Sequence, residues 1–328
     1  MHDGRWLGIA PIGARDVDLA RSQRGILRAM AVEVSGSDSG VDFVVTLERA
    51  DLLPGQLASG SVQMTFRDDR DVRGIVAALI ATEHWQFERT TTDANGHART
   101  ETVTERQDLQ RLPVQLAGPG RYNRGQTVEF PLKLPVPPLG PATLEATVAG
   151  LSWRLEIKAD VPGFDPSIDA RVVVLQPTAL LRAGVVTVGQ FALWPSAEAV
   201  EGDAKAAIAL DPVPLCIGAP FGGLLSIKTG TTKLQEVRLE LRAKVKATVS
   251  SGRSETITLW TGRVAGEGQF GGAEQAMAFD GMLPSLYVPT VKLPHGEAHA
   301  EFHVILAKAL ARDTHLVRDV AICSTTEI

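Results

Sequence analysis

Residues 125–141 read GQTVEFPLKLPVPPLGP. Val128, Phe130, Leu132 and Leu134 alternate with Thr127, Glu129, Pro131 and Lys133. Successive side chains of an extended chain point to opposite faces, so the pattern predicts a half-buried strand. Pro131 removes one amide from any ladder, which places the strand at a sheet edge or on a bulge. Pro135, Pro137 and Pro138 then stop the pairing and turn the chain toward another sheet. Prolines here also discourage edge-to-edge aggregation.

The motif returns 149 residues later: Phe130 and Leu134-Pro135 correspond to Phe279 and Leu283-Pro284. The same offset carries Trp153, Leu155 and Ile157 onto Phe302, Val304 and Leu306. Upstream, an offset of 162 carries Ile75, Ala77, Leu79 and Ala81 onto Val237, Leu239, Leu241 and Ala243. A polar hairpin follows in each copy, TTTDANGHARTET at 90–102 (with Asn95-Gly96 as its turn signal) and SSGRSET at 250–256. Earlier still, LLPGQLASGSV at 52–62 faces IGAPFGGLLSI at 217–227. An internal repeat of this length implies two tandem units of similar topology.

Leu151, Trp153, Leu155, Ile157 and Ala159 alternate with polar residues, as do Val237 to Val249 on odd numbers. Both read as strands with one wet face. In DVRGIVAALIATEHW (71–85), Val72, Ile75, Val76, Leu79 and Ile80 also fit helical spacing. The strict alternation of the repeated copy decides for a strand. The chain is therefore expected to be all-β, two tandem antiparallel, immunoglobulin-like β-sandwiches. The expected division is an N-terminal extension over 1–30, a first sandwich over 31–175 and a second over 176–328.

Pro54, Gly55, Gly60 and Val62, then an inward strand, a polar hairpin, and Gly125, Phe130, Pro131, Leu134 and Pro135 stand in an order that resembles the arrestin superfamily. The likeness is to the α-arrestins, the arrestin-fold retromer subunit and the bacterial sporulation-control proteins, over roughly residues 40–328 and more strongly in the first half. It implies arrestin-like N and C domains and a cytoplasmic adaptor or scaffold that binds protein partners. The family's Leu-x-Gly after the inward strand is here Ala81-Thr82-Glu83, and Pro137-Pro138 continue as Leu139-Gly140 rather than as a PPxY ligand. Receptor binding, ubiquitin adaptation and a phosphate-sensing polar core are therefore not carried over.

At 328 residues the chain is long for one core and comfortable for two. The net charge of -5 gives no global attraction to nucleic acid or anionic lipid, so no nucleic-acid partner is expected. No apolar run approaches the roughly 20 residues that span a bilayer. The first residues lack the apolar core of a signal peptide. With only Cys216 and Cys323, reduced thiols in the cytoplasm are expected. Ala-, Gly-, Val- and Arg-rich usage points to a high-GC bacterial genome.

The outward residues of 237–249, Arg238, Glu240, Arg242, Lys244 and Lys246, are the candidate partner-binding face. Basic side chains there would meet an acidic partner segment, or the same face is an ordinary charged exterior. PHGEAHAEFH places His295, His299 and His303 four apart. On a helix they would gather zinc. On a strand they share a face but stand about 13 Å apart at roughly 3.3 Å per residue, too far for one ion. The repeat puts His303 opposite Arg154, on the solvent face. Asp68, Asp69 and Asp71 lie among Arg67, Arg70 and Arg73, as a solvated loop would.

Neither cysteine sits in a catalytic motif, no G-x-S-x-G is present, and GGLLS (222–226) lacks the P-loop lysine. The expected function is a non-enzymatic adaptor without cofactor or metal, binding through sheet edges or charged faces. The alternatives are a structural subunit of an assembly, or a metal- or ligand-binding sandwich that uses the histidine strand. Residues 14–30, with arginines at 15, 21, 24 and 28, are read as a short amphipathic helix docked on a sandwich, as a disordered tail, or as lying before an alternative start at Met30.

Overall fold

Pro131 lies at a sheet edge. In the computed structural model, which describes residues 31–178, 197–201, 204–230, 233–268, 270, 273–308 and 312–326, every named element is a strand. The segment 14–30 lies outside the described residues. The first half of the chain runs β1 Val32–Asp38, β2 Val41–Leu47, β3 Asp51–Leu52, β4 Leu57–Phe66, β5 Arg70–Val72, β6 Gly74–Thr92, β7 Ala98–Ala117, β8 Gly120–Tyr122, β9 Thr127–Pro135, β10 Ala149–Asp160 and β11 Ser167–Val174. The second half runs β12 Ala197–Glu201, β13 Ala204–Asp211, β14 Leu215–Cys216, β15 Pro220–Lys228, β16 Glu236–Ala247, β17 Ser254–Ala265, β18 Gln275–Met282, β19 Val291–Lys292, β20 Gly296–Ala307, β21 Thr314–Val320 and β22 Ile322–Cys323.

Two sheets of the first half, ordered β1-β2-β4-β9 and β3-β11-β10-β6-β7, enclose one core. The second half repeats the plan with β12-β13-β15-β18 and β17-β16-β20-β19, β21 pairing on β20. The proline-bearing strand β9 and its counterpart β18 each end a sheet. Trp153 and its counterpart Phe302 are both buried to 1% exposure at the centres of the two cores. Trp153 also donates Nε1–H to the Pro141 carbonyl at 2.9 Å.

The helical spacing within 71–85 has a physical cause. In β6 the inward residues Ile75, Ala77, Leu79 and Ala81 are buried, and so are Ala78 and Ile80 on the outer face. Ile80 stands in register between Arg154 and Arg111, whose long aliphatic stems can shield an apolar side chain. A strand buried on both faces loses its period of two, and the residual pattern imitates a helix.

The two copies differ by a slip in register. Leu155 faces Leu79 in the first, whereas its counterpart Val304 faces Leu239, the equivalent of Ala77. A slip of two residues keeps every inward side chain inward, whereas a slip of one would expose them all.

The likeness also extends beyond the alternating strands. The parallel pair β3–β11 recurs as β14–β22. Buried Thr143 exchanges bonds with Val174, its amide donating to the Val174 carbonyl and its Oγ1 accepting from the Val174 amide, both at 2.9 Å. Buried Thr290 makes the same two bonds with Ile322, again at 2.9 Å.

Where the first copy sets Leu52 beside Val174, the second sets Cys216 beside Cys323. Those cysteines are joined as a disulfide, with Cα atoms 4.9 Å apart, which corrects the expectation of reduced thiols. The reason is topological: residues 107 apart in sequence become direct neighbours on a parallel ladder, within the span a disulfide tolerates. The linker joins the same array, as Thr178 donates its amide to the Thr325 carbonyl and Gln176 O accepts from Ser324 N.

Replacing Thr143 or Thr290 by Val keeps the volume but leaves a buried amide without its acceptor. Each variant is expected to lose about 1–3 kcal/mol in urea unfolding, and equal losses at the two sites would show that they do the same work. Reducing the disulfide should lower stability by up to about 4–5 kcal/mol, the chain-entropy value for a loop this long, measured by unfolding with and without dithiothreitol.

Candidate functional site

The outward residues of β16 and β20 form one face. Lys244 lies opposite His299, Arg242 opposite Glu301, Glu240 opposite His303 and Lys246 opposite Glu297. The two features singled out separately in the sequence thus meet on one surface.

Its chemistry is an alternation of charge. Arg238 bonds Glu236 at 2.7 Å and Glu240 at 2.9 Å, and Arg242 bonds Glu240 through Nε at 2.9 Å. Lys244 Nζ sits 2.8 Å from Glu301. The carboxylate of Glu301 also meets His299 Nε2 at 3.3 Å and His303 Nε2 at 3.0 Å. An ionised carboxylate only accepts, so the His303 Nε2 must carry the proton of that bond. The face is therefore a network of paired ions rather than a bare basic patch. Lys246 is its exposed cation at one end.

Depth separates the members. The side chains of Glu240 and Glu301 are 13% and 9% exposed, while Lys244 retains 43%. His303 is buried, not on the solvent face that the repeat suggested, and outward-facing Ile305 beside it is buried too. Burial of Glu301 opposes its ionisation, but the hydrogen bond and charge of Lys244, followed by His303, outweigh it and hold its carboxyl below the ordinary 4.5. Glu240 is lowered in the same way, with burial overcome by Arg242 and Arg238. His303 is pushed below 6.5 first by burial and then by the charge of Arg242, against the pull of Glu301.

His295 does not share this face. It precedes β20, and its ring stacks on Trp85 with centroids 4.0 Å apart. Its amide and Nδ1 lie 2.8 and 2.9 Å from the carboxylate of Glu83. Glu83 comes from β6 and is fully buried, so this contact joins the two halves of the chain. A second carboxylate makes the converse contact: Glu255, on β17, accepts from the amides of Thr147 and Val148. The turn before β17 also bonds the arm of β6, Arg253 N to Gln86 O and Glu88 N to Ser251 O, each at 3.0 Å. Tyr287 completes the junction, its hydroxyl pushed up to about 12 by burial and by the nearby carboxylate of Asp51.

This junction was not read from the sequence, although a signal existed. Glu83 continues the inward series Ile75, Ala77, Leu79, Ala81, where a charge must be paired.

The remaining candidates disperse. Asp69 accepts from the Arg124 amide, and Asp69 and Asp71 approach Arg121 along the short β5–β8 ribbon. GGLLS lies within β15, not in a loop. The Asn95-Gly96 signal lies in a turn closed by Asp93, which accepts from the Asn95 and His97 amides. Among the described residues no group of three or more His, Cys, Asp or Glu is placed to hold a metal ion. No helix among them is long and apolar enough to cross a membrane.

A histidine whose folded pKa lies below its unfolded value stabilises the fold fully above the unfolded value. That contribution is lost as pH falls from about 6.5 toward the folded value. Glu301 and Glu240 add a second loss below about 4.5. Urea unfolding as a function of pH should therefore show two descending limbs, and His303→Gln should flatten the upper one while leaving the lower in place.

Compared with protein-family models the chain matches none, and compared with curated proteins it matches none.

Proposed function

We propose that the chain is a non-enzymatic adaptor or scaffold, and that the β16/β20 face of its second half binds a protein partner. The observation that carries the reading is the order of this face. Buried carboxylates hold the arginine and lysine heads in fixed positions on a rigid sheet, so the side-chain entropy of fixing them is already spent before a partner arrives. A surface of alternating charge selects a partner with the opposite alternation and rejects a shifted one by like-charge contact. The arrestin-like order of motifs supports an adaptor role, and the repetition of sheet order, proline-bearing edge and buried threonine in both halves agrees with that resemblance.

The alternative of a metal or small-ligand site on the histidine strand has less in its favour. His295 is engaged at the junction, and Glu301 already accepts from Lys244 and His303. For the compartment, a reducing cytoplasm would hold the cysteines as thiols and an oxidising one as the bridge described above. A non-reducing gel of protein taken from its own cells reads which.

The test is quantitative capture of partners from the native cell extract. Arg242→Glu with Lys244→Glu should reduce capture of a recurrent partner roughly ten-fold or more, the scale of two reversed close charge pairs. Lys246→Glu, which leaves Glu240 and Glu301 paired, should weaken it less. Equal capture by all three folded proteins would remove this face from the function.

A further inference from the structure

The hairpin arm of β6 and β7 offers a second surface, independent of the charged face. β7 ends its sheet, and among the described residues it pairs only with β6. Its two parts differ. Over the sandwich the ladder skips Leu116 and Leu109, two bulges, with Pro113 between them. Such features blunt an edge against further pairing. From Ala98 to Asp108 the ladder is regular, contains no proline, and nearly every residue is exposed. The guarded part is therefore the part nearest the core, and the projecting part is left open.

We propose that this open edge pairs with the same edge of a second copy of the chain, antiparallel about a two-fold axis at Thr102. The charges select both the occupant and the register. Two copies related by a two-fold axis pair residue i with residue c − i. Cross-strand partners share a face, so c is even and the axis passes through one residue of each strand.

An axis at Glu101 or Glu105 sets that glutamate against itself, and an axis at Val103 sets Glu101 against Glu105. An axis at Arg106 or Asp108 repeats the fault, and one at Gln107 runs into the bulge at Leu109. An axis at Thr104 gives no opposite-charge pair, and one at Thr100 overlaps only 98–102. At Thr102, Arg99 meets Glu105 twice, Thr100 meets Thr104 twice, Glu101 meets Val103, and no like charges are opposed over 98–106.

Among the described residues neither Arg99 nor Glu105 is in an ion pair within the chain, whereas Glu101 is held by Arg89. The two charges the register needs are thus the ones left available. Arg253 also bonds Thr102 Oγ1 at 3.0 Å, next to Glu88 across the ladder. The charge near the axis is balanced within each copy. This proposal does not depend on the β16/β20 face.

The test is sedimentation equilibrium of the full chain from about 1 to 100 µM, the range suited to a small interface. The wild type should dimerise. Arg99→Glu alone and Glu105→Arg alone should each weaken the dimer about ten-fold or more, since each turns two attractive cross-strand pairs into repulsive ones. The double variant R99E/E105R should restore the wild-type constant. Both side chains are exposed, so unchanged thermal unfolding of the single variants would confirm that association alone was altered. A wild type that stays monomeric throughout, a dimer indifferent to the single reversals, or a double variant that fails to restore it would overturn the proposal.

Discussion

A fully buried carboxylate governs how the two halves of this chain meet. Glu83 stands on the inward face of β6, where water cannot solvate it, and its partners come from the other half: the amide and ring nitrogen of His295. Separating the halves by a few ångströms would strand the carboxylate in an apolar wall, at a cost of several kcal/mol. Glu255 reaches the other way to two amides of the first half. The two carboxylates cross the boundary in opposite directions, so neither half is complete alone. Gly296 makes room: a Cβ there would stand 2.8 Å from the Cβ of Ala149. The core follows the same logic, since Ala243, Val245, Ala247 and Ala298 of the second half pack with the first.

The charged face depends on this junction indirectly. β16 and β20 carry it outward, and the ends of the same strands, Ala247 and Gly296, abut the first half. Fixing those ends fixes the register of the ladder, and the register puts Lys244 and Arg242 beside His299 and Glu301. Order on the outside is a consequence of burial on the inside.

Alternation was legible wherever one face of a strand is wet, as in β10 and β16, and the repeat was legible because inward residues recur at constant offsets. The edge position of β9 followed from a single proline. Three things were not legible for physical reasons. Thr143 and Thr290 look like any polar loop residue until the strand whose amide they satisfy is in place. His295 belongs by spacing to a series with His299 and His303, but the strand begins one residue after it, so its ring is free to turn to Glu83. The cysteines are far apart in sequence and become neighbours only through a parallel crossover. Glu83 was legible in principle, as a charge at core parity where the arrestin-like pattern would have glycine.

The bridge between Cys216 and Cys323 also determines how the chain would carry tension. A pull entering at the C-terminus reaches Cys323 and passes through the sulfur atoms to Cys216, bypassing the residues between them. The strands from β15 to β21 would then bear no load, and stretching could extend only what precedes Cys216 and the few residues after Cys323. With the bridge opened, the same pull would run through the whole second core. Oxidation thus decides how much of the molecule can lengthen under force, without altering a single strand of the folded state.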